Sequence, residues 1–226
     1  MDMRGIEILR EDADIIVIYK PAGLAVQAAG VGQPDVASEL KKYLHSSYLG
    51  IVHRLDQPVE GVLVFGKTKQ AAARLTAALG NGTLNKRYYA VVCGKPAKER
   101  DRLVDELVKE GNVARVVGKA GDKSKQAILE YNILGTAEFS GVSAALADIR
   151  IETGRFHQIR VQMANAGLPL LGDVKYGTNE SMDLSRKMRV ACVALCAYRL
   201  DIVHPMSGEK LCFEVEPRGD IFRQFS

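Results

Sequence analysis

Gly61-Val-Leu-Val-Phe-Gly66, with the Thr68-Lys-Gln-Ala-Ala-Ala-Arg-Leu-Thr-Ala-Ala-Leu79 that follows it, sets the terms on which the rest of the chain is read. The first stretch is a continuous apolar run bounded by glycines, which suits a strand covered on both faces. Thr68 predicts an N-cap, and Gly80-Asn-Gly82 marks the end of the helix between them. Upstream, Ile6-Glu-Ile-Leu9 and Asp14-Ile-Ile-Val-Ile-Tyr19 are rich in β-branched residues and predict two strands. Lys20-Pro-Ala-Gly23 closes the second with turn chemistry. Residues 35–43 have helical spacing, with Val36, Leu40 and Tyr43 or Leu44 on one face. Downstream, Arg87-Tyr-Tyr-Ala-Val-Val-Cys93 reads as a strand, and two more follow at 127–134 and 144–152. Residues 156–166 predict a helix stopped by Gly167, and 195–216 a hairpin turning at Pro205-Met-Ser-Gly208. Strands outnumber helices and do not alternate strictly with them. The pattern predicts an α+β fold on a mostly antiparallel sheet.

Composition narrows the class. The chain has 226 residues, 47% hydrophobic and 26% charged, an ordinary globular mixture that is long enough to bury a core without metal or disulfide staples. That length suits one large domain or two small lobes, and a single domain over 1–226 is expected. The opening Met1-Asp-Met-Arg-Gly-Ile-Glu7 has no apolar signal region, and no uncharged apolar run approaches the ~18 residues of a membrane span. A soluble, cytoplasmic protein is expected. Cys93, Cys192, Cys196 and Cys212 form no CxxC pair, and His45, His53, His157 and His204 share no ligand spacing, so no metal is expected. Gly30-Val-Gly32 does not complete a dinucleotide-binding glycine motif. The net charge of +4 permits a polyanionic partner without requiring one.

Three segments carry chemistry. In Ile51-Val-His-Arg-Leu-Asp56, an extended backbone would point Val52, Arg54 and Asp56 one way and His53 and Leu55 the other. The following Gln57-Pro58 cannot continue a central ladder, which puts Asp56 at an element end. A surface Arg and Asp at a strand end have the same pattern, and the segment alone favours that plainer reading. In Glu152-Thr-Gly-Arg-Phe-His-Gln-Ile-Arg160, a helix opening at Thr153 or Gly154 would carry Arg155, His157 and Arg160 in its first turns, against the macrodipole. Ile159, Met163 and Ala166 give its apolar face; Arg160 lies beside that face, and a partly buried guanidinium needs a carboxylate. In Asn85-Lys-Arg-Tyr-Tyr89, Tyr88 and Tyr89 fall on opposite faces, and Lys86 and Arg87 beside an aromatic ring suit a base next to its phosphates. An aromatic-rich strand accounts for the same residues equally well.

Taken in order, Lys20-Pro-Ala-Gly23, His53-Arg-Leu-Asp56, Lys86-Arg-Tyr88, Gly154-Arg-Phe-His-Gln-Ile-Arg160, Leu171-Gly-Asp-Val-Lys-Tyr-Gly177 and His204-Pro-Met-Ser-Gly208 resemble the RluA-type pseudouridine synthases over nearly the whole chain. The resemblance implies that family's fold, a mixed, mostly antiparallel sheet flanked by helices around an active-site cleft. It implies isomerisation of uridine to pseudouridine in ribosomal or transfer RNA, with no cofactor and no obligate protein partner, by a chain expected to be monomeric. Asp56 matches the catalytic aspartate, and Tyr88 the tyrosine that packs on the target base and assists removal of the C5 proton. Arg160 matches the arginine that pairs with the catalytic carboxylate, Ile159 a wall of the base pocket, and Arg54 a residue that enters the space left by the flipped nucleotide. Arg155, His157, Lys86 and Arg87 are candidates for RNA contact, through phosphates for the cations.

Two departures from the family pattern stand out. Val59-Glu60-Gly61 replaces the usual Thr-Ser-Gly, which brings an acid close to the expected RNA path. The S4-type RNA-binding domain common in relatives is also not expected, because the sequence starts almost directly at the catalytic region. Two competing readings are a non-catalytic RNA-binding domain on the same fold and a nucleoside glycosidase with Glu60 as a second acid.

Overall fold

The computed structural model describes residues 3–225 except Ala29 and Val31. The reading of Gly30-Val-Gly32 and of the first two residues therefore falls partly outside the described residues. The chain folds as two compact units, residues 1–86 with 197–217 and residues 87–196 with 218–226.

The first unit is built on antiparallel strands β1 (Glu7–Glu11), β2 (Ile15–Lys20) and β4 (Glu60–Gly66), with the short β3 (Gly50–Ile51) on the far end of β4. The hairpin of β10 (Leu195–Val203) and β11 (Lys210–Glu214) continues the order β1-β2-β4-β10. Every residue of β2 and β4 is buried, as a strand covered on both faces requires. Helix α1 (Val36–Tyr43) starts at Asp35, whose carboxylate accepts from the Ser38 backbone N–H. Helix α2 (Lys69–Gly80) starts at Thr68 and ends at Asn81, as its cap residues predict. Ala71 and Leu75 of α2 join Ile15, Val17, Val62 and Val64 in one core cluster. That contact is close: a Cβ on Gly66 would lie 2.6 Å from the Ala72 backbone nitrogen.

The second unit holds β5 (Asn85–Cys93, from Arg87 on), β6 (Arg100–Glu110), β7 (Val113–Val117), β8 (Lys125–Phe139) and β9 (Val142–Ile151), in the order β5-β9-β8-β6-β7. All four of its pairings are antiparallel. The charge-rich residues 100–117 become the β6–β7 hairpin, strand β8 runs five residues past its expected end at 134, and β9 lies within two residues of its expected bounds. Helices α3 (Gln158–Asn165) and α4 (Asn179–Lys187) complete the unit. Leu107, Ala114, Ala127 and Val161 form a small core that seats α3 against β6 and β7.

The predicted start of α3 is corrected. The helix opens at Gln158, with His157 at the N-cap in a left-handed conformation (φ 54°), so Arg155 and His157 lie before it. The Gln158 side chain sets this boundary: its Oε1 accepts from Arg155 N and Thr153 Oγ1, and its Nε2 donates to Ile128 O. Ala166 is exposed, and residues 158–163 are buried all round rather than along one stripe. Among the described residues, no helix is long and apolar enough to cross a membrane.

Candidate active site

In the first unit, the segment from Val52 to Asp56 continues past the two residues of β3 without strand pairing. The predicted alternation fails there: Val52, His53 and Leu55 are all buried, Arg54 is exposed, and Asp56 is partly buried. Asp56 opens a tight turn in which its carbonyl accepts from Val59 N at 3.0 Å. That turn is clamped from the β2 side. Lys20 is fully buried, and its ammonium donates to Pro21 O, Leu24 O and Gln57 O at 2.8, 2.7 and 3.2 Å. Gly23 N donates to Gln57 O, and Gln57 Nε2 returns a bond to Gly23 O. The backbone beside Asp56 is thus fixed by a buried cation, while Asp56 itself is only partly buried.

Glu60 does not project into solvent. It is 5% exposed, and the Tyr19 hydroxyl donates to its carboxylate. The acid substituted into the family pattern is therefore buried at the start of β4 and bonded to Tyr19. His53 Nε2 accepts from Val64 N at 3.4 Å, and its Nδ1 has no hydrogen-bond partner. Burial, followed by the charge on Lys86, holds the His53 imidazole well below the ordinary histidine range. Loss of hydration likewise pushes the Lys86 ammonium down to about 8. Lys86 has no carboxylate partner among the described residues.

In the second unit, Tyr88 is 5% exposed on β5 opposite Ile149, and its neighbour Tyr89, opposite Asp148, is more exposed. Arg87 bonds to Asp148 through Nε and a terminal nitrogen. Arg155 is exposed and donates to Gln126 O, while Ile159 is 6% exposed. Arg160 and His157 share a third neighbour. Arg160 is 3% exposed and forms a two-pronged pair with Asp173, Nε to Oδ2 and the second terminal nitrogen to Oδ1, both at 2.7 Å. The Tyr176 ring lies 5.2 Å from the guanidinium carbon, and its hydroxyl is 2.7 Å from His157 Nδ1. Ala114 N donates to the same hydroxyl at 2.7 Å, and Phe156 stacks on the His157 ring with centroids 3.8 Å apart.

Sequence reasoning assigned no role to Asp173, Tyr176 or the Lys20 clamp. The signals were present: a guanidinium read as partly buried demands a carboxylate, and Asp173 lies inside the Leu171–Gly177 motif. Another grouping arises with no ligand spacing to announce it. Asp12, Asp14 and His204 bring their ligand atoms within 4.8 Å of one another. His204 Nδ1 accepts from Met206 N and Ser207 N, so the ring proton sits on Nε2, 3.2 Å from Asp12 Oδ2. That proton occupies the lone pair a cation would need. The trio ties the β10–β11 turn to the loop before β2.

A family model described as RNA pseudouridylate synthase matches residues 14–165. The chain belongs to this family. It is 32% identical over 229 residues to ribosomal large subunit pseudouridine synthase D of Zymomonas mobilis, covering 96% of this chain and 70% of that protein. It is 34% identical to the enzyme of the same name from Vibrio cholerae, covering 96% of this chain and 68% of the other. The fold matches human RNA pseudouridylate synthase domain containing 1 with a TM-score of 0.77 at 17% identity, over 100% of this chain and 96% of that one. As a member of the pseudouridylate synthases the chain is an isomerase, and the α+β, mostly antiparallel fold is the family's.

Proposed function

We propose that this synthase isomerises specific uridines in ribosomal RNA, the substrate class in the names of its relatives, with Asp56 as the reacting carboxylate. The observation that carries the assignment is the clamped turn: a partly buried aspartate on a backbone pinned by the buried Lys20 ammonium. The reaction breaks N1–C1′, turns the base and joins C5 to C1′; the C5 proton departs and N1 gains one, so no electrons or groups are exchanged with a cofactor. Asp56 acts on the ribose, as nucleophile at C1′ or as base at C2′, and both roles need its ionised form. Tyr88 packs on the base and serves removal of the C5 proton, and Ile159 forms part of the pocket wall. Arg160 contributes a permanent positive charge to the catalytic machinery.

A uridine stacked in a helix is out of reach, so it is flipped, and the exposed Arg54 fills the gap. Lys86, Arg87, Arg155 and His157 meet the RNA backbone. Lys86 fits this role best, since a partly buried ammonium without a protein counter-ion is completed by a phosphate. The chain acts as a cytoplasmic monomer without an obligate protein partner. Pseudouridine mapping of total RNA from cells with and without the gene tests the reading. Loss of one or a few ribosomal sites is expected, and identical maps would overturn it.

A further inference from the structure

We propose that Asp173 is a positioning residue that sets the plane and direction of the Arg160 guanidinium. The inference rests on Arg160 belonging to the catalytic site. Arg160 and Asp173 have side chains 4% and 0% exposed, and the pairing uses Nε as well as a terminal nitrogen. Two parallel bonds to one carboxylate fix a guanidinium in plane, which a single bond does not. The Tyr176 ring, 5.2 Å from the guanidinium carbon, adds a contact from the same turn.

Asp173 is itself immobilised. Its Oδ1 also accepts from Lys175 N and Tyr176 N at 3.0 and 3.3 Å, and its carbonyl accepts from Gly177 N at 2.9 Å. Gly172 before it has φ 74°, its N–H bonds to Ser185 Oγ in α4, and a Cβ there would meet Cys192 O at 2.0 Å. Gly177 closes the turn so tightly that a Cβ would lie 2.4 Å from Asp173 O. The turn is therefore a rigid mount anchored on α4, and what it mounts is one arginine near the start of α3.

Stability alone gives little reason for such a pair, because buried ion pairs are often no better than well-packed apolar residues. Orientation does give one. An arginine on an eight-residue helix can reach many places, and a catalytic charge misplaced by an ångström loses much of its effect. Asp173→Asn separates aim from scaffold: its Oδ1 can keep the bonds to Lys175 N and Tyr176 N, while its amide donor faces the Nε–H of Arg160. Asp173→Glu keeps the charge and shifts the fork by one methylene.

The experiment measures kcat and KM for tritium release from uridine-labelled RNA in the wild type, Asp173→Asn, Asp173→Glu, Arg160→Lys and the Asp173→Asn/Arg160→Lys double variant. It also records the Arg160 Nε–H NMR signal and its solvent exchange. The expected result is a kcat loss on the order of 10- to 100-fold in both Asp173 variants, with KM nearly constant. Asp173→Asn should cost little more in the Arg160→Lys background, where no fork exists to aim. The Nε–H should exchange slowly in the wild type and fast in Asp173→Asn. Unchanged kcat in Asp173→Glu, an equal loss in both backgrounds, or an unchanged Nε–H signal would overturn the inference. A wild type that releases no tritium would refute the proposed function instead, and the Nε–H comparison would still decide the role of Asp173.

Discussion

Tyr88 and Tyr89 stand side by side in β5 with different surroundings, and a single oxygen in each distinguishes their roles. Alternation sends the two rings to opposite faces. Tyr88→Phe keeps the ring for stacking and removes the hydroxyl, so RNA binding should hold while turnover falls on the order of 100-fold, the range of a general-base contribution. Tyr89→Phe should keep turnover within about twofold, with any loss in stability below about 1 kcal/mol. Single-turnover assays at saturating enzyme separate chemistry from binding. Loss of turnover in Tyr89→Phe alone would place the wrong ring in the site.

Lys86 is the residue whose pH behaviour is most informative. Its folded value of about 8 lies below its ordinary 10.5, so between those limits the unfolded chain binds a proton that the folded chain lacks. Stability from this group therefore rises as pH climbs from about 8 to 10.5, and is lowest below 8, where folding must hold a desolvated charge. Lys86→Met should remove that rise and stabilise the free protein at pH 7. It should also weaken RNA binding and reduce the slope of log affinity against log salt by about one. Denaturant titrations at several pH values and a salt series read the two effects. A mutant with the wild-type pH profile and salt slope would show Lys86 to be solvated and away from the RNA.

At the scale of elements, two glycines at the ends of adjoining segments should respond in opposite directions. Gly61 in β4 has φ 127°, and a Cβ there would lie 2.4 Å from Ala197 O in β10. Gly61→Ala combines backbone strain with overpacking and should cost roughly 2–5 kcal/mol. Gly80 ends α2 where a Cβ would meet nothing within 4 Å, so Gly80→Ala should stabilise by about 0.5–1 kcal/mol. Equal denaturation midpoints for the two variants would contradict the packing described for β4. The elements that sequence located well share strong local signals: Thr68 and Asp35 are true N-caps, and β2 and β4 are unbroken apolar runs. The failures have long-range causes. The start of α3 is set by Gln158 bonding to Thr153 and to Ile128 on β8, and no helix-periodicity argument contains that partner. Strand β6 is legible only through its neighbours: it pairs on both sides, with β7 and β8, while carrying charges along an exposed face.

At the scale of the molecule, ordered motifs revealed the chemistry more readily than the contacts that support it. His53-Arg-Leu-Asp56 and Lys86-Arg-Tyr88 were readable as a family pattern, and the family match over residues 14–165 agrees with it. The contacts that hold the Asp56 turn and Arg160 in place were not, because Lys20 acts through backbone carbonyls and Asp173 through a buried fork, and both exist only after folding. Glu60 shows the same limit: beside Asp56 in sequence it reads as an acid near RNA, and in the fold it is buried under Tyr19. The measurement closest to the central claim is tritium release from RNA labelled at uridine C5, with wild-type protein and Asp56→Asn. Asn keeps the size of the side chain and removes the ionisable group, so the fold and RNA binding should persist while release falls to background. Turnover by a pure, verified Asp56→Asn protein at a rate near that of the wild type would contradict the account.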